Sequence, residues 1–370
     1  MSVWVVVGGQ FGSEGKGKIS AIITLQEQID ICIRCGGPNS GHSFQEPNGE
    51  LFLLRQLPTG VVRPQTRLLI PAGALVDLDI LRFEIESLGL DSSRVGVDRN
   101  AMIISPADKE TERRLQLSER LSSTLCGVGA AVARRALRSP DVQLASDAAT
   151  EYGWLRPLIT DVSGEANLAV DQGKKVLIEG TQGSGLSLYH SLHYPKATSR
   201  DTNAAGFVSE VGLSPRLVSE VILVFRTFPI RVAGTQAGPL HEELMWEQLQ
   251  AECGSPLPLH EYTSVTHKLR RLGRFDWAAA RRAITLNRPT RLAVNFADYL
   301  GFENQASTKW NDLNQTVKSF IERVESLGPP VCYIGTGPQL AHSILRGPAG
   351  VMKDAGCVQF GSQHFGLRGT

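Results

Sequence analysis

The chain has 370 residues, 42% hydrophobic and 20% charged, the proportions of an ordinary folded protein able to bury a large core. Its 38 basic and 37 acidic residues leave a net charge of +1, which argues against a protein that coats nucleic acid through a broad basic face. No apolar run approaches the roughly 20 residues that span a bilayer, and the short apolar N-terminus lacks a basic leader, so a cytoplasmic protein with neither a membrane nor a nucleic-acid partner is expected.

A strand at 4–7 is expected to run into a helix at 13–28, followed by strands at 29–34, 51–57 and 67–70 and helices at 77–88 and 107–121. A helix at 157–172 precedes a strand at 175–179. A strand at 221–225, a helix at 276–287, a strand at 291–295, a helix at 311–327 and a strand at 331–334 complete the series. The alternation predicts an α/β fold with a large central, mostly parallel sheet flanked by helices. No repeat or linker divides the chain, so one domain over 1–370 with long active-site loops is expected; the tail after Pro338 is Gly-rich and unpatterned. Cys32 and Cys35 lie in an apolar strand with no second pair or nearby histidine to complete a zinc set, and read as small buried hydrophobes.

Two glycine-rich loops carry the chemistry. The first, GGQFGSEGKGKIS at 8–20, follows the first strand. Gly12, Glu14, Gly15, Lys16, Gly17 and Lys18 fit the spacing of a phosphate-binding loop, whose backbone N–H groups and following helix receive phosphate oxygens. Ile19 stands where a Walker loop has a magnesium-binding hydroxyl. The second loop, GGPNSGHS at 36–43, also follows a strand and offers Asn39, Gly41, His42 and Ser43; His42 is the natural proton donor of the pair.

These loops, in this order, resemble the G-D-E-G-K-G-K and G-G-x-N-A-G-H signatures of adenylosuccinate synthetases. The resemblance continues through VLIEGTQG at 176–183, PKATSRDTNAAG at 195–206, TSVTHKLRRLGRFD at 263–276, NFAD at 295–298 and GTGP at 335–338. It implies that family's P-loop-like fold and a two-step ligation, in which a triphosphate phosphorylates O6 of a 6-oxopurine nucleotide and the amine of L-aspartate then displaces the phosphate. It further implies His42 as catalytic acid, Lys16 on the transferring phosphoryl group, Gln182 on the acceptor base, and Asn39, Thr124 and Thr198 around its 5′-phosphate. Val232 would touch the ribose, and Thr266, Lys268 and Arg270 would clamp aspartate, with lysine at 268 where the family usually has arginine. Arg134 would reach the partner's phosphate site in a homodimer. Mg²⁺ would be held at residue 13 and by the Gly41 carbonyl. Asn295, Phe296, Asp298, Gly335, Thr336, Gly337 and Pro338 would surround the donor base.

The main departure is Ser13, where the family has an aspartate that takes the N1 proton and binds magnesium. Serine is neutral and cannot replace either role like for like. That leaves an inactive nucleotide-binding site or a changed acceptor, and the retained His42, Lys16 and Gln182 favour the latter. Guanine carries a 2-amino group on the edge that residue 13 faces, and a hydroxyl there leaves room for it. Serine at this position resembles the bacteriophage 2-aminoadenylosuccinate synthase group, which implies dGMP as acceptor on a route to 2-aminoadenine, with ATP or dATP as donor. Phe296 stands where the family's base-reading lysine is found, a flat surface without guanine preference, so GTP ranks below adenine donors.

Overall fold

The computed structural model describes residues 3–263 and 267–347. Ten strands form the central sheet: β1 (Val3–Gly8), β2 (Ile31–Arg34), β3 (Arg67–Ile70), β4 (Val95–Asp98), β5 (Ile159–Thr160), β6 (Val176–Glu179), β7 (Val218–Arg226), β8 (Arg291–Asn295), β9 (Val331–Gly335) and β10 (Ser343–Leu345). Their order is β10-β9-β8-β7-β1-β6-β2-β3-β4-β5. Every pairing is parallel except that of β9 with β10. β1 sits near the middle, between β6 and β7, and the polypeptide reverses its winding around it. Loops leaving the carboxyl ends of the central strands therefore open into one crevice, the place where such sheets bind ligands.

The apolar runs make this sheet because helices cover both faces. In β1, Val5 and Val7 join one buried cluster with Ile33, Phe207 and Leu223, while Val6 joins the other with Ile19, Cys32 and Leu68. Each such fully buried side chain contributes roughly 1.5–3 kcal/mol relative to exposure. Cys32 and Cys35 are buried free thiols, as their setting predicts.

The expected strands at 67–70 and 291–295 are reproduced residue for residue, and most others within a few residues. Two helices start one residue after an aspartate cap: Asp77 accepts from the Ile80 amide and Asp276 from that of Ala279. Other expectations need correction. The helix at 107–121 is two helices, Pro106–Arg114 and Leu117–Leu121, broken at Gln116 in the left-handed conformation. The helix at 157–172 begins only at Val162, after a strand and the Asp161 cap. The strand at 51–57 ends at Leu54 and belongs to a separate hairpin with His42–Gln45. Part of the unpatterned tail supplies β10. Among the described residues, no helix is long and apolar enough to cross a membrane.

Candidate active site

The crevice holds a cavity of about 480 Å³ into which both glycine-rich loops project. After β1 the chain turns through Gly12, Ser13 and Gly15, all in the left-handed region at φ 88°, 58° and 85°. Two of the three are glycines, which take that conformation without steric cost. Gly15 then caps the helix α1 (Lys16–Glu27) with no side-chain hydrogen bond to its first amides and no acidic residue in its first turn. The first-turn N–H groups and the positive end of the helix are thus left for an anion. Ser13 is exposed to the cavity.

Glu14 points inward. Its carboxylate accepts the amides of Gln10 and Gly12 at 3.1 and 2.8 Å and pairs with Lys16 Nζ at 2.6 Å. Lys16 borders the cavity and also donates to the Gln182 carbonyl, so one of its three N–H donors is left. Lys18 does not border the cavity, contrary to its expected place among the phosphate ligands. Its ammonium donates to the carbonyls of Gly337 and His342 at 2.7 and 2.6 Å, joining the phosphate helix to the 335–342 loop. Burial lowers its pKa to about 7, partly opposed by Asp298.

The second loop is organised by a buried network that sequence reasoning missed. Arg34 and Glu179 are register partners at the carboxyl ends of β2 and β6. Glu179 Oε1 lies 2.6 Å from Arg34 Nη1 and 2.6 Å from His42 Nδ1, and Oε2 accepts the Thr59 amide at 2.9 Å. Burial alone would raise this carboxyl, but His42, Arg34 and Thr59 outweigh it and hold it at about 2. An ionised carboxylate at Nδ1 fixes the imidazole with Nδ1–H donating, leaving Nε2 as its free nitrogen. Burial and the Arg34 charge lower His42 to about 3, so the ring is neutral in the free protein. The visible signal was a Glu and an Arg, each ending an otherwise apolar strand.

Arg226, at the end of β7, was missed too. It is 0% exposed, donates from Nη1 to the Ser13 carbonyl at 3.0 Å, and forks onto both oxygens of Glu261. Its guanidinium lies over Phe296, 3.9 Å from the ring centroid. One buried cation thus ties the Ser13 loop, the segment before residue 264 and the aromatic platform together.

Gly12, Ser13, Gly15, Lys16, Gly17, Asn39, Gly41, His42, Ser43, Thr124, Gln182, Thr198, Val232, Arg270 and Phe296 all border the cavity, bringing most of the expected site together across long sequence separations. Asn295 lies behind the loop, donating to the Glu14 carbonyl at 2.7 Å. Asp298 is 6% exposed with Oδ1 unpartnered, and burial raises its pKa to about 6. Gly335 ends β9, and Thr336, Gly337 and Pro338 form the loop beyond it that Lys18 braces, away from the cavity lining. Lys268 is exposed outside the cavity, and Thr266 lies outside the described residues. Arg134 does not reach the cavity of its own chain: it forks onto Asp108 at 3.0 and 2.8 Å and donates to the Asp141 carbonyl. Among the described residues no three His, Cys, Asp or Glu side chains cluster as a metal site.

The sequence model of the family described as adenylosuccinate synthetase matches residues 5–146 and 142–304. The adenylosuccinate synthetase of Thermococcus sibiricus is 41% identical over 349 residues, 93% of this chain and 98% of the relative. That of Methanocaldococcus jannaschii is 39% identical over 345 residues, 92% of this chain and 95% of the relative. Among solved structures, cyanophage S-2L succinoaminodeoxyadenylate synthetase, bound to dGMP and to dATP as an energy donor, is similar with a TM-score of 0.80 and 26% identity, covering 94% of this chain and 96% of that one. The fully ligated adenylosuccinate synthetase of Plasmodium falciparum shares the fold with a TM-score of 0.81 at 22% identity, over 94% of this chain and 100% of that one.

Proposed function

This chain belongs to the adenylosuccinate synthetase family of ligases, and we propose that its acceptor is dGMP, which it joins to L-aspartate to give 2-amino-2′-deoxy-N6-succinyl-AMP. The observation that carries the proposal is Ser13: a hydroxyl borders the cavity beside Gln182 where the family resemblance leads one to expect a carboxylate. Among the described residues, the carboxylates that border the cavity are both engaged. Glu112 accepts the amides of Gly127 and Gly129 at 2.9 and 2.7 Å, and Glu261 is held by Arg226. The 2-amino group of guanine then meets a small hydroxyl able to accept its hydrogen bond. The similarity to the S-2L enzyme bound to dGMP supports the same reading.

In this account the amides at the start of α1 and the remaining donor of Lys16 hold the phosphoryl group in flight, where fixed donors act strongly in a dry site. His42 starts neutral. Phosphate oxygens approaching Nε2 raise its proton affinity, and the imidazolium, oriented by Glu179, donates to the O6–phosphoryl oxygens. Gln182 positions the base, and Asn39, Thr124 and Thr198 its 5′-phosphate. The amine of aspartate attacks C6, the C6–O6 bond breaks, and phosphate leaves with the oxygen. Thr266, Lys268 and Arg270 steer the aspartate carboxylates. Arg134 completes the phosphate site of a second copy in a homodimer only after releasing Asp108.

The family uses Mg²⁺ and a nucleoside triphosphate. The Gly41 carbonyl and Ser13 hydroxyl suit an ion that takes most of its ligands from triphosphate oxygens and water. They would hold it, and it would supply neutralisation of the β- and γ-phosphate charge. We take ATP or dATP as donor, because Phe296 puts an uncharged ring, one face of it covered by Arg226, where the family's base-reading lysine is found. Incubation with dGMP, aspartate, ATP and Mg²⁺ should release phosphate and a succinylated nucleotide identifiable by mass; release from no 6-oxopurine nucleotide would leave an inactive nucleotide binder.

A second reading, an ordinary synthetase using IMP and GTP, is favoured by the unpartnered carboxylate oxygen of Asp298, which suits the two N–H donors of guanine, and by the archaeal relatives. It predicts turnover of IMP and none of dGMP.

A further inference from the structure

Arg231 borders the cavity, is 3% exposed, and leaves both Nε and Nη2 without a hydrogen-bond partner. Its one hydrogen bond runs from Nη1 to the Ala237 carbonyl. The Phe11 ring, two residues before Ser13, carries the guanidinium at 3.9 Å from its centroid. The backbone is shaped for this group: Gly238 has φ 106°, and a Cβ there would lie 1.8 Å from Nη1. Glu243, whose charge reaches Arg231, is already held in a fork by Arg271. Burial and the neighbouring Arg271 lower the Arg231 pKa only to about 10, so it keeps its charge at neutral pH. A buried cation with two idle donors is costly unless an anion completes it.

A second cation borders the same cavity. Strand 230–231 pairs antiparallel with 271–273, Arg231 opposite Arg271, and Arg270, the residue before Arg271, also lines the cavity. We infer that Arg231 binds one carboxylate of the amino-acid substrate while Arg270 takes the other. This deepens the ligase proposal and rests on it for the identity of the anion. The triphosphate already has the start of α1 and Lys16, whereas a dicarboxylate needs a cationic group for each of its two carboxylates. The planar fork of Arg231 supplies the bidentate geometry that lysine at 268 lacks.

The test compares wild type, Arg231→Gln and Arg231→Lys in steady state, using whichever 6-oxopurine nucleotide the wild type turns over. A wild type that prefers IMP therefore defeats the acceptor proposal and leaves this test intact. Loss of a charge-assisted bidentate contact should raise the aspartate KM about 10- to 100-fold in Arg231→Gln, with the acceptor and triphosphate KM values within about twofold. Arg231→Lys, which keeps the charge and guards against misfolding, should recover part of the loss, and low-millimolar guanidinium should lower the aspartate KM of Arg231→Gln. An unchanged aspartate KM overturns the inference. So does a rise in the acceptor KM in its place, which would assign Arg231 to a nucleotide phosphate.

Discussion

Nδ1 of His42 lies 2.6 Å from Oε1 of Glu179, joining two residues 137 positions apart at the back of the cavity. Glu179→Gln keeps the shape but removes the charge that orients the ring and neutralises Arg34. It should lower kcat by about 10²- to 10⁴-fold, the usual contribution of a positioned acid, with a smaller effect on KM. Leaving Arg34 uncompensated should also cost about 3–5 kcal/mol of stability in urea unfolding. A variant with wild-type kcat would remove His42 from the acid role.

The same pair sets a direction for stability against pH. Both groups titrate lower in the folded protein than in the open chain: His42 falls from 6.5 to about 3 and Glu179 from 4.5 to about 2. Between those values the unfolded chain binds more protons, so stability rises with pH. The pair's contribution is fully present above pH 6.5 and is lost on acidification through the folded values. Urea midpoints between pH 7 and 4 should fall less steeply for His42→Asn than for wild type; parallel slopes would contradict this.

Much of the fold was legible because its strands are short, uninterrupted β-branched runs and its phosphate loop is local. The cavity residues from Gly12 to Ser43 could be named for the same reason. What stayed hidden depends on register. Arg34 meets Glu179 only because β2 and β6 are neighbours, and Arg226 meets Ser13 and Glu261 only because β7 ends beneath the first loop. Lys18 was misplaced because charge beside glycines suggests phosphate, whereas its position on α1 turns it toward the 335–342 loop. Gln116 gave no warning of a break, being an ordinary helix former.

Ser13 holds φ 58°, a left-handed conformation that aspartate tolerates well, so Ser13→Asp should fold normally. Its carboxylate would crowd the guanine 2-amino group and restore a base for the hypoxanthine N1 proton. The ratio of kcat/KM for dGMP over IMP should fall by about 10- to 200-fold. An unchanged ratio would move acceptor choice elsewhere in the cavity.

Asp298 supplies a pH test of the donor. Burial raises its pKa to about 6 against the opposing charge of Lys18. Below that pH the neutral acid offers one donor and one acceptor, matching N1 and N6 of adenine; above it the carboxylate offers two acceptors, matching N1–H and N2–H of guanine. The kcat/KM ratio of ATP over GTP should therefore fall as pH rises through about 6, and Asp298→Asn should flatten the profile. A ratio independent of pH in the wild type would show that Asp298 does not read the base.

The most direct test of the central claim is the specificity of the wild-type protein for dGMP against IMP, each assayed with aspartate, Mg²⁺ and ATP and again with GTP. A dGMP-dependent ligase gives a higher kcat/KM for dGMP and a succinylated 2-amino product. A higher kcat/KM for IMP with either donor would contradict that claim and return the protein to ordinary adenylosuccinate synthesis.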